Sequence, residues 1–156
     1  MTTIAIPNKR PHRLNQIANP LLKWLLHSPL HRLADKQTML ITITGRRTGQ
    51  RYTIPVNYVH DGRALLVTSQ RCRNWWRNLR GGAPVTLFCR GQARKHWGNV
   101  VERGSAVAIL LSRYLQQVPD RAHAFGVRLD GSKQPQADDV RQAAQNYVMI
   151  RLVPVS

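Results

Sequence analysis

The chain has 156 residues, 42% of them hydrophobic, with a mean hydropathy of −0.38, a balance that supports one core of ordinary size and excludes both a membrane-spanning chain and an intrinsically disordered one. Charge is the outlying property: 24 Lys+Arg against 7 Asp+Glu give a net +17, which calls for an anionic partner such as nucleic acid, lipid headgroups or a polyanionic cofactor. The basic residues are spread from Lys9 to Arg151 rather than gathered in the solid blocks of a nucleic-acid arm, and Cys72 and Cys89 are too few for a zinc site and too far apart for a redox pair.

Taken in chain order, residues 1–11 are polar, basic and broken by two prolines, and predict a disordered start. Asn19-Pro20 is a helix-start signal ahead of Leu21, Leu22, Trp24, Leu25 and Leu26, and Ser28-Pro29 repeats it. The segment over 14–33 therefore predicts a basic amphipathic helix, which either lies on an anionic membrane surface or packs on its own domain. Residues 1–36 are read as this N-terminal segment and 37–156 as one domain. No apolar run reaches a transmembrane span, and the N-terminal stretch lacks the h-region of a signal peptide, so the expected location is cytoplasmic, with the inner membrane face as a peripheral site.

Leu40 to Val59 is the stretch around which the rest is organised. Two runs rich in β-branched residues flank the polar segment Gly45 to Arg51, which predicts strand, tight turn and return strand. The turn offers two glycines, the Thr48 hydroxyl and the guanidinium groups of Arg46, Arg47 and Arg51, a set suited to a phosphate or carboxylate; an ordinary hairpin with solvated arginines is the plainer reading. Asp61-Gly62 marks the next hairpin turn, before a third strand over Ala64 to Ser69. Arg73 to Arg80 has helical spacing and stops at Gly81-Gly82. Val85 to Arg90 and Ala93 to Val101 are two further strands around Arg90-Gly91-Gln92. Ser105 to Gln117 predicts a helix with Val107, Ile109, Leu110, Leu111, Tyr114 and Leu115 on its apolar side. A weak helix over Pro119 to Val127, a loop, a polar helix over Ala137 to Gln145 and a last strand over Tyr147 to Val153 complete the chain. The fold class is mainly β: about six mostly antiparallel strands in a small barrel with helical decoration.

No serine-hydrolase elbow, zinc-protease motif or long glycine-rich nucleotide loop is present, and acidic residues to serve as bases are scarce. His27 and His31 have Pro29 between them, which argues against a shared metal, so no metal site is expected. An enzyme of this composition leaves its chemistry to a bound cofactor. Trp75 and Trp76, adjacent on a short helix, fit either a ligand wall or plain burial against the barrel.

Gly45-Arg-Arg-Thr-Gly49, Ile54-Pro-Val-Asn-Tyr-Val59, Asp61-Gly62, Val67-Thr-Ser69 and Asn74-Trp-Trp-Arg-Asn-Leu79 ahead of Ala83-Pro-Val85 occur in an order that resembles the deazaflavin (F420)-dependent nitroreductase and quinone reductase family. The likeness runs over about residues 38–103. It implies the split β-barrel fold shared with FMN-binding flavin reductases and pyridoxamine-phosphate oxidases. It implies an oxidoreductase that passes a hydride from reduced coenzyme F420, an 8-hydroxy-5-deazaflavin, to a small quinone-like or nitro-aromatic acceptor, with FMN as the alternative cofactor. Carried over, Arg46, Arg47, Thr48 and Gly49 would bind the coenzyme's anionic tail, and Pro55, Val56, Asn57, Thr68, Ser69 and Gln70 would run along its ring. Trp75 and Asn78 would close over it, with Trp76 packed beneath. Asn57, Ser69 and Tyr114 are the residues expected to hold the acceptor or relay a proton. The linker from Ser69 to Asn74 is shorter than in the best-known members, and the tyrosines of their C-terminal helices lack clear counterparts. A basic nucleic-acid-binding module stacking bases on Trp75, Trp76 and Trp97 is the rival of another class; the ordered motifs outweigh bulk charge, and no specific nucleic acid is expected. The expected assembly is a monomer or homodimer.

Overall fold

A computed structural model describes residues 36–156. The disordered start over 1–11 and the amphipathic helix over 14–33 expected from the sequence lie outside the described residues. Six strands form the frame: β1 (Thr38–Thr44), β2 (Arg51–Asp61), β3 (Ala64–Gln70), β4 (Ala83–Cys89), β5 (Gln92–Val101) and β6 (Tyr147–Pro154). They close into an antiparallel barrel in the order β1-β2-β3-β6-β5-β4, with β1 and β4 sealing the cylinder through Leu40↔Phe88, Ile41↔Leu87 and Thr42↔Thr86. The expected mainly-β barrel is thus the observed one.

The hairpin turns follow from their residues. β2 meets β3 at Gly62, with φ +61. β4 meets β5 at Arg90 and Gly91, with φ values of +49 and +78. Two successive left-handed residues give the primed two-residue turn whose twist matches the flanking strands. Asp61, beside the first turn, is held by Arg113 at 3.6 Å and Arg151 at 3.7 Å.

Period-2 alternation divides the core in two. Met39, Ile41 and Ile43 on β1, Val85 and Leu87 on β4, and Val148, Ile150 and Leu152 on β6 point into the barrel. The opposite faces of β3 and β6 present Leu66 and Met149 to the helix α1 (Gly104–Gln117). On α1 the buried residues are Val107, Leu111, Tyr114 and Leu115, one helical stripe. Ile109 was expected on that stripe, but it lies two residues from Val107, which turns it to the far side, and it is 58% exposed. A 3-10 segment of about two turns (Pro119–Phe125) and the helix α2 (Ala137–Ala143) complete this outer layer.

The expected helix over Arg73 to Arg80 is a single 3-10 turn, Trp75–Leu79, stopped by Gly81 and Gly82 at φ +74 and +88. Three residues per turn stack Trp76 above Leu79, and these are the two residues it buries. A side chain at Gly82 would run into the Trp97 indole.

Arg128 clamps Asp139 on α2, its Nε and Nη2 donating to the two carboxylate oxygens at 2.8 and 2.9 Å and its main-chain N–H adding a third bond at 2.9 Å. These donors lower the Asp139 pKa to about 2. The folded pKa lies below the unfolded value of roughly 3.9, so the pair's contribution is complete above that value and is lost as pH falls through about 2. Asp139→Asn is therefore expected to lower the melting temperature at pH 7, with the gap to the wild type narrowing only below pH 4, as followed by circular dichroism.

Candidate active site

The β1–β2 turn is built by its own backbone: the Gly45 N–H donates to the Gln50 carbonyl at 2.7 Å and the Gly49 N–H to the Gly45 carbonyl at 2.8 Å, with Gly49 at φ +70. Gly45 is needed for space, since a Cβ there would sit 2.8 Å from the Tyr52 ring and 3.1 Å from the Thr48 hydroxyl. The Thr48 hydroxyl lies 3.3 Å from the Tyr52 hydroxyl and accepts the Gln50 N–H at 3.2 Å.

This turn is tied to the 3-10 segment. The Arg46 N–H donates to Asn78 Oδ1 at 3.0 Å, Asn78 Nδ2 donates to the Trp75 carbonyl at 3.0 Å, and the Arg46 guanidinium donates to the Arg80 carbonyl. Arg80 in turn forks onto Glu102 at 2.9 and 2.7 Å. That fork holds the Glu102 carboxyl below its ordinary pKa. Trp76 sits under this brace, 2% exposed, its Nε1–H donating to the Gln70 carbonyl at 3.1 Å and the Arg77 and Arg80 guanidinium carbons 5.6 and 5.1 Å from its ring centre. Packing is thus what the structure shows of Trp76.

Two open cavities meet at Trp75. One, of about 490 Å³, is lined by the turn residues Gly45, Arg47, Thr48 and Tyr52 and by Asn74, Trp75, Arg77 and Asn78. The other, of about 340 Å³, is lined by Ile54, Pro55, Val56 and Asn57 on β2, by Thr68, Ser69 and Gln70 on β3, and by Arg73, Trp75 and Tyr147. Three arginines and no carboxylate occur among the described lining residues. Asp61, Glu102, Asp138 and Asp139 are paired with other arginines. The first cavity therefore offers an anion a positive wall with a hydroxyl and turn backbone beside it; the second offers apolar and neutral polar surface with one guanidinium, Arg73, among it.

Eleven residues singled out from the sequence line these cavities: Arg47, Thr48, Pro55, Val56, Asn57, Thr68, Ser69, Gln70, Trp75 and Asn78, together with Gly45 of the turn. Gly49 shapes the turn without lining either cavity, and the Arg46 side chain is turned to the brace. Tyr114, expected at the acceptor, is corrected: it is 1% exposed in the outer core, and its hydroxyl accepts from Arg121 at 3.2 Å. The helical stripe that buries Val107, Leu111 and Leu115 takes Tyr114 with it. Tyr52, Ile54, Arg73, Asn74, Arg77 and Tyr147 line the cavities without having been assigned there. Arg73 and Arg77 flank Trp75 and were legible by proximity. Tyr147 carried no signal, because only the register Gln70↔Tyr147 brings it to the site.

Ser69 is 6% exposed, its hydroxyl donating to the Gln70 carbonyl at 3.3 Å. Asn57 Oδ1 accepts the Thr38 hydroxyl at 2.9 Å, which fixes the amide and leaves its NH₂ as the donor.

Among solved structures the fold is similar to the FAD and heme binding protein from Mycobacterium smegmatis, at 14% identity over 79% of this chain and 63% of that one, with a TM-score of 0.51. It is similar to the heme storage protein HutZ from Vibrio cholerae, at 14% identity over 88% of this chain and 89% of that one, TM-score 0.51. A FAD-binding protein from Mesorhizobium loti matches at 10% identity over 80% of this chain and 85% of that one, TM-score 0.50. The chain thus spans 63% of the length of the mycobacterial protein. At such identities the likeness shows the split β-barrel fold. Comparison with curated proteins finds no significant match. Residues 28–130, well over half of the sequence, match the family model described as F420H(2)-dependent quinone reductase. That match covers the ordered motifs from Gly45 to Val85, and by it the chain belongs to the F420H(2)-dependent quinone reductase family, a family of oxidoreductases.

Proposed function

We propose that this protein binds F420 across the two cavities and reduces a small electron-poor acceptor, quinone-like or nitro-aromatic. The observation that carries the reading is that an arginine-walled cavity and a cavity of mixed apolar and polar lining share a single indole, Trp75. A coenzyme with an anionic tail and a flat ring needs that pairing. The donor set fits it: Arg47, Arg77 and the Thr48 hydroxyl for phosphate or carboxylate, Pro55, Val56, Thr68 and Trp75 for the ring.

When bound, reduced F420 supplies a hydride. The protein's own contribution is orientation and electrostatics. Ile54 to Asn57 and Thr68 to Gln70, on paired strands, set a rigid wall, and Trp75 covers one side of it and limits water. Arg73, which lines this cavity, would supply positive charge for the electron density that develops on an acceptor oxygen. The Asn57 NH₂ and the Ser69 and Tyr147 hydroxyls are the groups we assign to hold the acceptor.

Fluorescence titration with F420 tests the binding, and anaerobic mixing of the reduced coenzyme with menadione tests the reaction. Saturable binding and oxidation of F420H₂ dependent on the quinone are expected. Tight binding of FMN with no response to F420 would overturn the reading in favour of a flavin. Trp75→Ala is expected to weaken F420 binding about tenfold, the scale of one lost stacking contact, with the melting temperature little changed because this indole is only half buried.

A further inference from the structure

A third cavity, of about 330 Å³, opens at the other end of the barrel, where the β2–β3 and β4–β5 turns lie. No role in the proposed reaction falls on it. Its floor is the apolar end of the barrel interior, Met39, Leu65 and Leu87. Its rim carries Arg63, Arg90 and Arg94, and none of its described lining residues is acidic.

The turn chemistry puts the cations there. Arg63 follows Gly62, and Arg90 is itself the first left-handed residue of the β4–β5 turn, at φ +49. An arginine in that conformation is strained where asparagine or glycine would be relaxed. Arg94 is steadied by a bond from its Nη2 to Gln92 Oε1 at 2.8 Å.

Inside the rim lies His96, 7% exposed, its Nδ1 buried and without a hydrogen bond of ordinary geometry, the backbone of Arg94 being the polar group near the ring. A buried polar atom left without a partner costs free energy and calls for an explanation. Burial, and secondarily the Arg94 charge, lower the His96 pKa against a backbone bond to Arg94 that raises it, which favours the neutral ring and a polar neighbour over a counter-ion. Beside it the Tyr58 hydroxyl and Cys89 Sγ are 3.4 Å apart, and both line the cavity.

We infer that this barrel mouth is a binding site for a small carboxylate with an apolar, aromatic-sized body and a hydroxyl group: the body against Met39, Leu65 and Leu87, the carboxylate at the arginine rim, and the hydroxyl partnering His96 Nδ1. A hydroxyl serves either tautomer of the imidazole, since it both donates and accepts. The volume is at the small end of ligand cavities, which suits one ring rather than a dinucleotide.

Cys89 makes the site readable, and Cys72, exposed and at the opposite end of the barrel, is an internal control. The experiment measures alkylation of each cysteine by iodoacetamide in the full chain, resolved by peptide mass spectrometry, with 4-hydroxybenzoate, benzoate or inorganic phosphate present. The hydroxybenzoate is expected to slow Cys89 alkylation at least fivefold at saturation, with Cys72 unchanged. Benzoate should need at least a threefold higher concentration, and phosphate should not protect. Arg63→Gln with Arg94→Gln should raise the protecting concentration at least tenfold. Absence of Cys89-specific protection by either carboxylate overturns the site. Equal potency of the two overturns the role of Nδ1, and protection by phosphate alone overturns the apolar body. The ligand comparison on the unaltered chain stands whether or not the double variant folds, and none of these readouts depends on F420.

Discussion

Replacing Arg47 and Arg77 together with alanine is expected to weaken F420 binding by about 2–4 kcal/mol, roughly 30- to 1000-fold, taking about 1–2 kcal/mol per charge-assisted bond. Both side chains are exposed and line the cavity beside the β1–β2 turn, and no described carboxylate lining it competes for them. The fold should lose little beyond the Arg77 contact with the Trp76 ring, about 0.5–1 kcal/mol for such a pair at an exposed site, so affinity falls much more than the denaturation midpoint does. Arg46→Ala should do the reverse: its guanidinium serves the Arg80 carbonyl, so stability falls before affinity does. Fluorescence titration beside urea denaturation separates the two. An unchanged dissociation constant in the folded Arg47/Arg77 double variant would place the anion site elsewhere.

The largest effect on stability is expected at Trp76. Truncation to alanine removes a 2%-exposed indole from the barrel core and one of the donors to the Gln70 carbonyl, which keeps those from the Ser69 hydroxyl and the Arg73 N–H. Large-to-small changes of this kind cost about 3–5 kcal/mol, much of the stability of an ordinary domain. Equilibrium urea unfolding should show a lower midpoint with a similar slope. Phenylalanine at the same position should recover part of the loss, since it refills volume without restoring the N–H donor. A midpoint within experimental error of the wild type would contradict the packing described.

The two tryptophans show how far sequence carries the argument. Adjacent indoles on a short helical stretch announce burial, but not which one is buried. The 3-10 turn decides, because three-residue spacing aligns Trp76 with Leu79 and leaves Trp75 at the cavity. The strands were legible because alternation and turn chemistry are local: Asp61-Gly62 and Arg90-Gly91 mark their turns within a residue or two. That Pro55 to Asn57 and Thr68 to Gln70 share one cavity wall was legible through the family motifs, which lie on β2 and β3. Partner choices within the site were not. Asn78 and Arg46 sit 32 residues apart, and nothing local shows that they bond to each other. Tyr147 reaches the site by strand pairing, and Tyr114 leaves it by helical phase.

The position of β6 bears on how the molecule is made. It is last of the six strands in sequence, yet it sits between β3 and β5. While the chain is being synthesised, everything up to Asn146 can be present with two raw sheet edges facing each other across an unfilled gap. Such edges recruit other chains, and long-range pairing is slow to form. The chain is therefore most exposed to aggregation before β6 pairs with β3 and β5. Both edges disappear in one step when Val148, Ile150 and Leu152 enter the barrel.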